Sequence, residues 1–261
     1  MDWYMLIAPI AASIAAIASW YSIYTQGRRY KKNKEPIIVP GLKNIETKIN
    51  GILSDWDSDE EINEAFSNTT FPLWNYGNTS VFNVKYCYYI ENLEGYIEEA
   101  ESILEDSHRV AFLRADNKDF EWQLGVSDYK KEDYEQTLVN LFNIAPFIRS
   151  AGVIKSNESI EINLPSYFIV LVNDYHLNRI VYRNQNTPKV PVLRLKVIYD
   201  DINFTTFEQS YLLTLSYAAK HSREKLRTNF ECEKIGKKKK YKNESIKQMD
   251  KHREFRRAKK W

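Results

Sequence analysis

Asp174 and His176 are the two residues of this 261-residue sequence whose types and spacing suit acid–base chemistry, because an imidazole beside a carboxylate is the commonest proton-transfer device in enzymes. They follow Tyr167–Val172, a continuous apolar run that reads as a central strand buried on both faces. Two residues apart on an extended chain, they project to the same side, and at a strand end this favours a satisfied surface pair over a catalytic dyad. Asp55, Asp57 and Asp59 open like a calcium loop. Glu60 stands where that loop needs glycine, however, and Phe66 where it needs a bidentate glutamate, so the stretch reads as a solvated acidic loop. Ser222 and Lys225 match S-x-x-K within a basic tail, not at the start of a buried helix. His108, His221 and His252 have no acidic or cysteine partner at a recognisable spacing, and Cys87 and Cys232 offer neither zinc spacing nor, in a reducing cytosol, a disulfide. Phosphate-loop, dinucleotide, zincin, nucleophile-elbow and C-x-x-C patterns are all absent. The expectation is a non-enzymatic protein with no catalytic, cofactor or metal residues; a membrane-tethered hydrolase built on Asp174 and His176 is the alternative of the opposite class.

The stretch that must position everything else is residues 3–24, which contain no charged side chain. Their number is close to the ~20 needed to cross a bilayer core as a helix. Trp3 and Tyr4 at one end and Trp20, Tyr21 and Tyr24 at the other bracket it as interfacial aromatics do. Arg28, Arg29, Lys31, Lys32 and Lys34 follow, on the wrong side for a cleaved secretory signal, and the positive-inside rule then leaves the N-terminus outside and the remaining chain in the cytoplasm. The expected location is the inner (plasma) membrane, single-pass. Ala8, Ala12 and Ala16 recur every fourth residue and give a small-residue row on which two helices could associate into a homo-oligomer.

Charge is partitioned. Residues 1–34 carry five basic and one acidic side chain (+4), residues 220–261 carry 17 and six (+11), and residues 35–219 carry 15 and 28 (−13), within a total of +2. An acidic body is a poor nucleic-acid surface. The basic tail, with Lys237, Lys238, Lys239, Lys240, Arg256 and Arg257, suits anionic lipid headgroups, since each basic side chain near such a leaflet contributes ~1 kcal/mol. A nucleic-acid arm and a solvated tail are the other readings.

Between anchor and tail the patterning is mostly that of strands. Pro36–Pro40 encloses an apolar triplet, and residues 42–53 are ambiguous in period. Asn75, Gly77 and Asn78 supply turn chemistry between strands over residues 71–75 and 81–90, the second with Phe82, Val84, Tyr86, Tyr88 and Ile90 on one face. Residues 92–106 and 130–144 show helical spacing, the first strongly acidic on its outer face. Short strands lie around residues 112 and 122, and longer ones at 159–162, 192–199 and 207–217, the last two joined by a turn at 200–204.

Asn75-x-Gly77-Asn78 followed by Phe82-Asn83-Val84 resembles the N-x-G-N…(A/F)-N-V pattern of uncharacterised bacterial proteins that join an N-terminal transmembrane helix to a cytoplasmic immunoglobulin-like β-sandwich domain. Ser80-Val81 stands where Pro-Ala is commoner, and the resemblance implies architecture and no activity. The expectation is therefore a mainly β chain: a transmembrane anchor (1–27), a basic juxtamembrane linker (28–35), an antiparallel β-sandwich with two inserted helices (36–219) and a basic tail, partly helical or disordered (220–261). Functionally it reads as a membrane-anchored interaction or sensor protein for an unknown protein partner or ligand. The alternative is a phage-defence-type effector that oligomerises in the membrane and disrupts it.

Overall fold

The computed structural model describes residues 4–33, 35–103, 110–115, 120–129, 136–181, 188–217 and 225–241. Helix α1 spans Tyr4–Asn33, about 45 Å at 1.5 Å per residue. It carries the apolar run and continues unbroken through Arg28 and Arg29. Every described apolar side chain on it is exposed, from Ile10 at 57% through Ile17 at 67% to Ile23 at 70%. Among the described residues no helix is long and apolar enough to cross a membrane; Trp3 lies outside the described residues, as do the side chains of residues 4–9 and 11.

The body is mainly β and sandwich-like. Its strands are β1 (Ile38–Pro40), β2 (Asn44–Lys48), β3 (Phe66–Asn75), β4 (Val81–Ile90), β5 (Val110–Arg114), β6 (Trp122–Tyr129), β7 (Gln136–Ile144), β8 (Arg149–Ile154), β9 (Ser159–Pro165), β10 (Leu193–Asp200), β11 (Thr206–Tyr217) and β12 (Lys225–Tyr241). They form three sheets, ordered β1-β3-β9, β2-β12-β11-β10-β4-β8 and β5-β6-β7, with antiparallel pairing throughout. Helix α2 spans Leu93–Ile103 and buries Ile97 and Ala100 while Glu94, Glu98 and Glu101 face solvent, as its amphipathic spacing requires.

Residues 71–90 are two strands with a short connection, yet the strands do not pair with each other. β3 lies in the first sheet and β4 in the second, so residues 76–80 carry the chain from one sheet to the other. The expected alternation of β4 also breaks at its start. Asn83 adopts a positive φ of 51°, the ladder to β8 shifts there, and Val81 becomes buried where Phe82 was expected. An extra residue in the left-handed region flips every side chain before it.

Four expectations are corrected. Tyr167–Val172 is not a strand: helix α3 spans Ser166–His176 and, apart from half-buried Tyr175, is buried on all sides, packing against β3, β7 and β9. An apolar run buried all round does not carry the period that would tell helix from strand. Residues 136–144 are strand β7 and not helix; Phe142 is 4% exposed and Leu141 beside it 43%, so two residues read as one helical face lie on opposite faces of a sheet. The inserted helices are accordingly α2 and α3. The stretch 54–66 is not simply a solvated loop, because Asp55 and Trp56 are buried at 2% and 4%. Finally, residues 225–241 of the expected basic tail are strand β12, while residues 220–224 and 242–261 lie outside the described residues. β12 pairs with both β11 and β2, and Leu226, Thr228 and Phe230 are fully buried.

The core joins these layers. Phe230 packs edge-on to Phe71 with ring centres 5.2 Å apart and lies 6.2 Å from Phe168 and 6.5 Å from Trp56. Strand β12, helix α3, strand β3 and the 54–66 segment therefore meet at one aromatic centre.

Candidate functional site

The body has a cleft of about 360 Å³ lined by Asn50–Ser54, Asp59–Glu61, Val126, Ser127 and Val139. Buried Ile52 and Val126 give it an apolar floor, and exposed Asp59, Glu60 and Glu61 give it an acidic rim. Gly51 leaves open space where a side chain would stand.

The wall made by residues 50–61 is held from behind. Asn173 of α3, fully buried, donates from Nδ2 to the carbonyls of Ile52 at 2.9 Å and Ser54 at 2.7 Å, and its Oδ1 accepts from Trp56 Nε1 at 2.7 Å. In front of Trp56, the carboxylates two residues apart meet amides two residues apart on β3. Asp55 accepts from Asn68 N at 2.6 Å and from the Thr69 hydroxyl, while Asp57 accepts from Thr70 N at 3.0 Å and pairs with Lys43. The spacing that imitates a calcium loop thus matches the period of a strand edge. Asp59 stands apart on the cleft rim with φ 57°. Among the described residues no group of three or more His, Cys, Asp or Glu side chains is placed to hold a metal ion.

Asp174 and His176 are not a surface pair. Both lie on α3, 3% and 0% exposed, and residues two apart on a helix point in different directions. Asp174 accepts from Asn178 Nδ2 at 2.9 Å and is close enough to Tyr96 on α2 to add to the upward shift that burial gives that phenol. Neither side chain lines the cleft. Ser222, His108, His221 and His252 lie outside the described residues. Cys87 and Cys232 are not joined in a disulfide, and burial pushes the Cys232 thiol up to about 12.

The Asn75–Asn78 turn is structural. Asn75 Nδ2 donates to the carbonyls of Thr79 at 2.8 Å and Ile154 at 3.1 Å, and its Oδ1 accepts from Gly77 N at 3.0 Å. A Cβ on Gly77 would stand 2.7 Å from both Ile37 N and Pro36 Cα. Glycine is required there by close approach and not by its φ.

Of the residues expected at a membrane interface, Trp20, Tyr21, Tyr24, Arg28 and Arg29 lie exposed on α1, and Trp20 stacks on Tyr24 with centres 5.8 Å apart. Ala12 and Ala16 are exposed on the same helix. The side chains of Tyr4, Ala8, Lys31 and Lys32 lie outside the described set, as do Lys34, Arg256 and Arg257 entirely. Lys237–Lys240 belong to the end of β12.

Trp56, Asn173 and the cleft were invisible as a unit in the sequence, because the residues involved are separated by up to 121 positions. A tryptophan amid acidic residues was the available signal: so large an apolar side chain is seldom left in water. Comparison with models of known families, with curated proteins and with solved structures gives no match.

Proposed function

We propose that this chain is a membrane-tethered, non-enzymatic interaction protein, with α1 as a single-pass anchor and the β body presenting its acidic-rimmed cleft to a protein or small ligand. The observation that carries the reading is the surface of α1. Ile10, Ile14, Ile17, Trp20, Tyr21, Ile23 and Tyr24 are 52–70% exposed, no face of the helix carries a charge before Arg28, and none of these side chains is covered by the body. A helix in water needs a polar face; one without it, packed on nothing, fits an apolar phase, and the uncharged run reaches the length of a span only when residues 3–9 and 11, outside the described side chains, are counted with it. The basic cluster at its C-terminal end orients the body toward the cytoplasm.

The strand register supports presentation. The segment 50–54 of the cleft follows Lys48, which pairs with Lys225 at the start of β12, whereas α1 joins the body near the far end of the same sheet.

Membranes from cells making the full chain should retain it after an alkaline carbonate wash, and protease should remove the body only from inverted vesicles. Release of folded protein by carbonate would overturn the reading.

A further inference from the structure

We propose that the end of the body where α1 enters is a membrane-docking face for an anionic bilayer, with the β10–β11 hairpin tip as its apolar insertion point; this rests on α1 being an anchor.

Four segments converge there. The chain arriving from α1 packs on the 76–80 turn, since Tyr76 N donates to the Ile37 carbonyl at 2.8 Å and no Cβ would fit between Gly77 and Pro36–Ile37, and the Tyr211 hydroxyl donates to the Ile38 carbonyl. Asp200 of β10 pairs with Phe82 at the start of β4 and with Thr206 at the start of β11, and Thr206 pairs with Tyr241 at the end of β12. The hairpin tip, the 76–80 turn, the entry from α1 and the end of β12 therefore share one end of the molecule.

That end is apolar at its tip and basic beside it. Phe204 is 63% exposed and Ile202 40%, with Tyr76 at 54% and Ile37 at 51% on the neighbouring turn and entry segment. Phe204 is held at φ 54°, a conformation that bulky residues rarely adopt. The tip is fixed by Asp201, whose Oδ1 accepts from Asn203 N at 2.9 Å and Thr205 N at 2.8 Å, while its carbonyl accepts from Phe204 N at 2.9 Å. An aromatic residue kept in this conformation and pointed at water is well placed to enter an interface. In backbone register Lys240 lies opposite Phe207 and Lys239 opposite Glu208, so the Lys237–Lys240 run ends beside the tip.

The two acidic groups of the hairpin end are engaged within the fold: Asp200 accepts from Asn83 Nδ2 at 2.8 Å and Thr206 Oγ1 at 2.6 Å, and Asp201 holds the tip. Glu35 and Glu158 are exposed, the latter 3.6 Å from Lys155. An exposed aromatic tip flanked by a lysine run fits anionic headgroups over an acyl boundary.

The test uses the full chain in proteoliposomes, with Asn203→Cys carrying an environment-sensitive fluorophore beside Phe204. Cys87 is buried and the Cys232 thiol, pushed up to about 12, offers little thiolate at neutral pH, so mock-labelled wild type is the blank. The label should be quenched by brominated lipids in anionic vesicles, at least about twofold more than in zwitterionic ones, as the loss of lysine attraction requires. Ile202→Ser with Phe204→Ser should abolish quenching, and high salt should weaken it in the unmodified sequence. No quenching in anionic vesicles, with the chain still carbonate-resistant, would overturn docking and leave the anchor standing; an apolar shift of the label without lipid quenching would assign the face to protein instead. Release by carbonate would overturn anchor and docking together.

Discussion

Trp56 Nε1 donates to Asn173 Oδ1 at 2.7 Å across 117 residues of sequence, and the same Asn173 amide holds two carbonyls of the cleft wall. Asn173→Ala strands one buried indole N–H and two carbonyls, each costing about 1–3 kcal/mol if left without a partner. We expect a loss of about 3 kcal/mol in denaturant unfolding, with Trp56→Phe losing less because it removes donor and ring edge together. In the double variant the two losses should fall well short of additive, since the residues share one interaction. Full additivity would show that Asn173 acts only on the carbonyls.

Truncation distinguishes strand from tail. A chain ending at residue 219 lacks β12, and with it Leu226 and Phe230, both fully buried, and the Trp56, Phe71 and Phe168 contacts of Phe230. It should fail to fold, seen as loss of protease resistance of the body, whereas a chain ending at 241 should keep it. Phe230→Ala alone should cost about 3–5 kcal/mol. A protease-resistant body after truncation at 219 would show that β12 is dispensable.

These two regions also show what the sequence could reveal. From Leu226 to Cys232 every second residue is apolar or threonine, a legible strand period, but the abundance of charges around it masked the alternation. β12 carries seven basic and two acidic residues, so part of the positive charge attributed to a tail lies within the sheet. The turn chemistry at Asn75–Asn78 and at 200–204, the hairpin β10–β11 and the amphipathic α2 were legible because local spacing decides them. Helix α3 was not: Ile169, Val170 and Val172 favour strands by themselves, and only complete tertiary burial makes their continuous run serve a helix. The cleft was illegible for another reason, since it joins a loop after β2 to side chains of β6 and β7 and no local pattern records such a meeting.

Two glycines give opposite expectations for the same substitution. Gly77→Ala places a methyl 2.7 Å from the backbone of Pro36 and Ile37, atoms that cannot move without shifting the entry of the chain into β1. A loss of about 2–3 kcal/mol is expected. Gly51→Ala meets nothing within 4 Å and should change stability by less than about 0.5 kcal/mol. Thermal melts of the two variants check both, and equal effects would contradict the packing around Gly77.

Stability should fall at alkaline pH for a reason that can be traced to single residues. Burial is the largest cause raising the phenols of Tyr88, Tyr96, Tyr199 and Tyr211 above their ordinary 10.0, and it raises the Cys232 thiol from 9.0 to about 12. In the unfolded chain these groups release their protons at the ordinary values while the native state keeps them. Below 9.0 both states hold the protons and the groups add no slope. Above 9.0 for the thiol, and above 10.0 for the phenols, the unfolded state binds fewer protons than the native one, so stability decreases as pH rises. Denaturant midpoints should therefore be flat with respect to these groups below 9.0 and fall beyond 10.0, with phenolate absorbance of the buried tyrosines appearing in step with unfolding. Tyr199→Phe removes one such group, along with its 3.1 Å bond to Gln209. It should lower stability at neutral pH yet flatten the alkaline slope by about 1.4 kcal/mol per pH unit, the share of one proton. An unchanged slope would show that Tyr199 ionises as freely in the folded protein as in the unfolded chain.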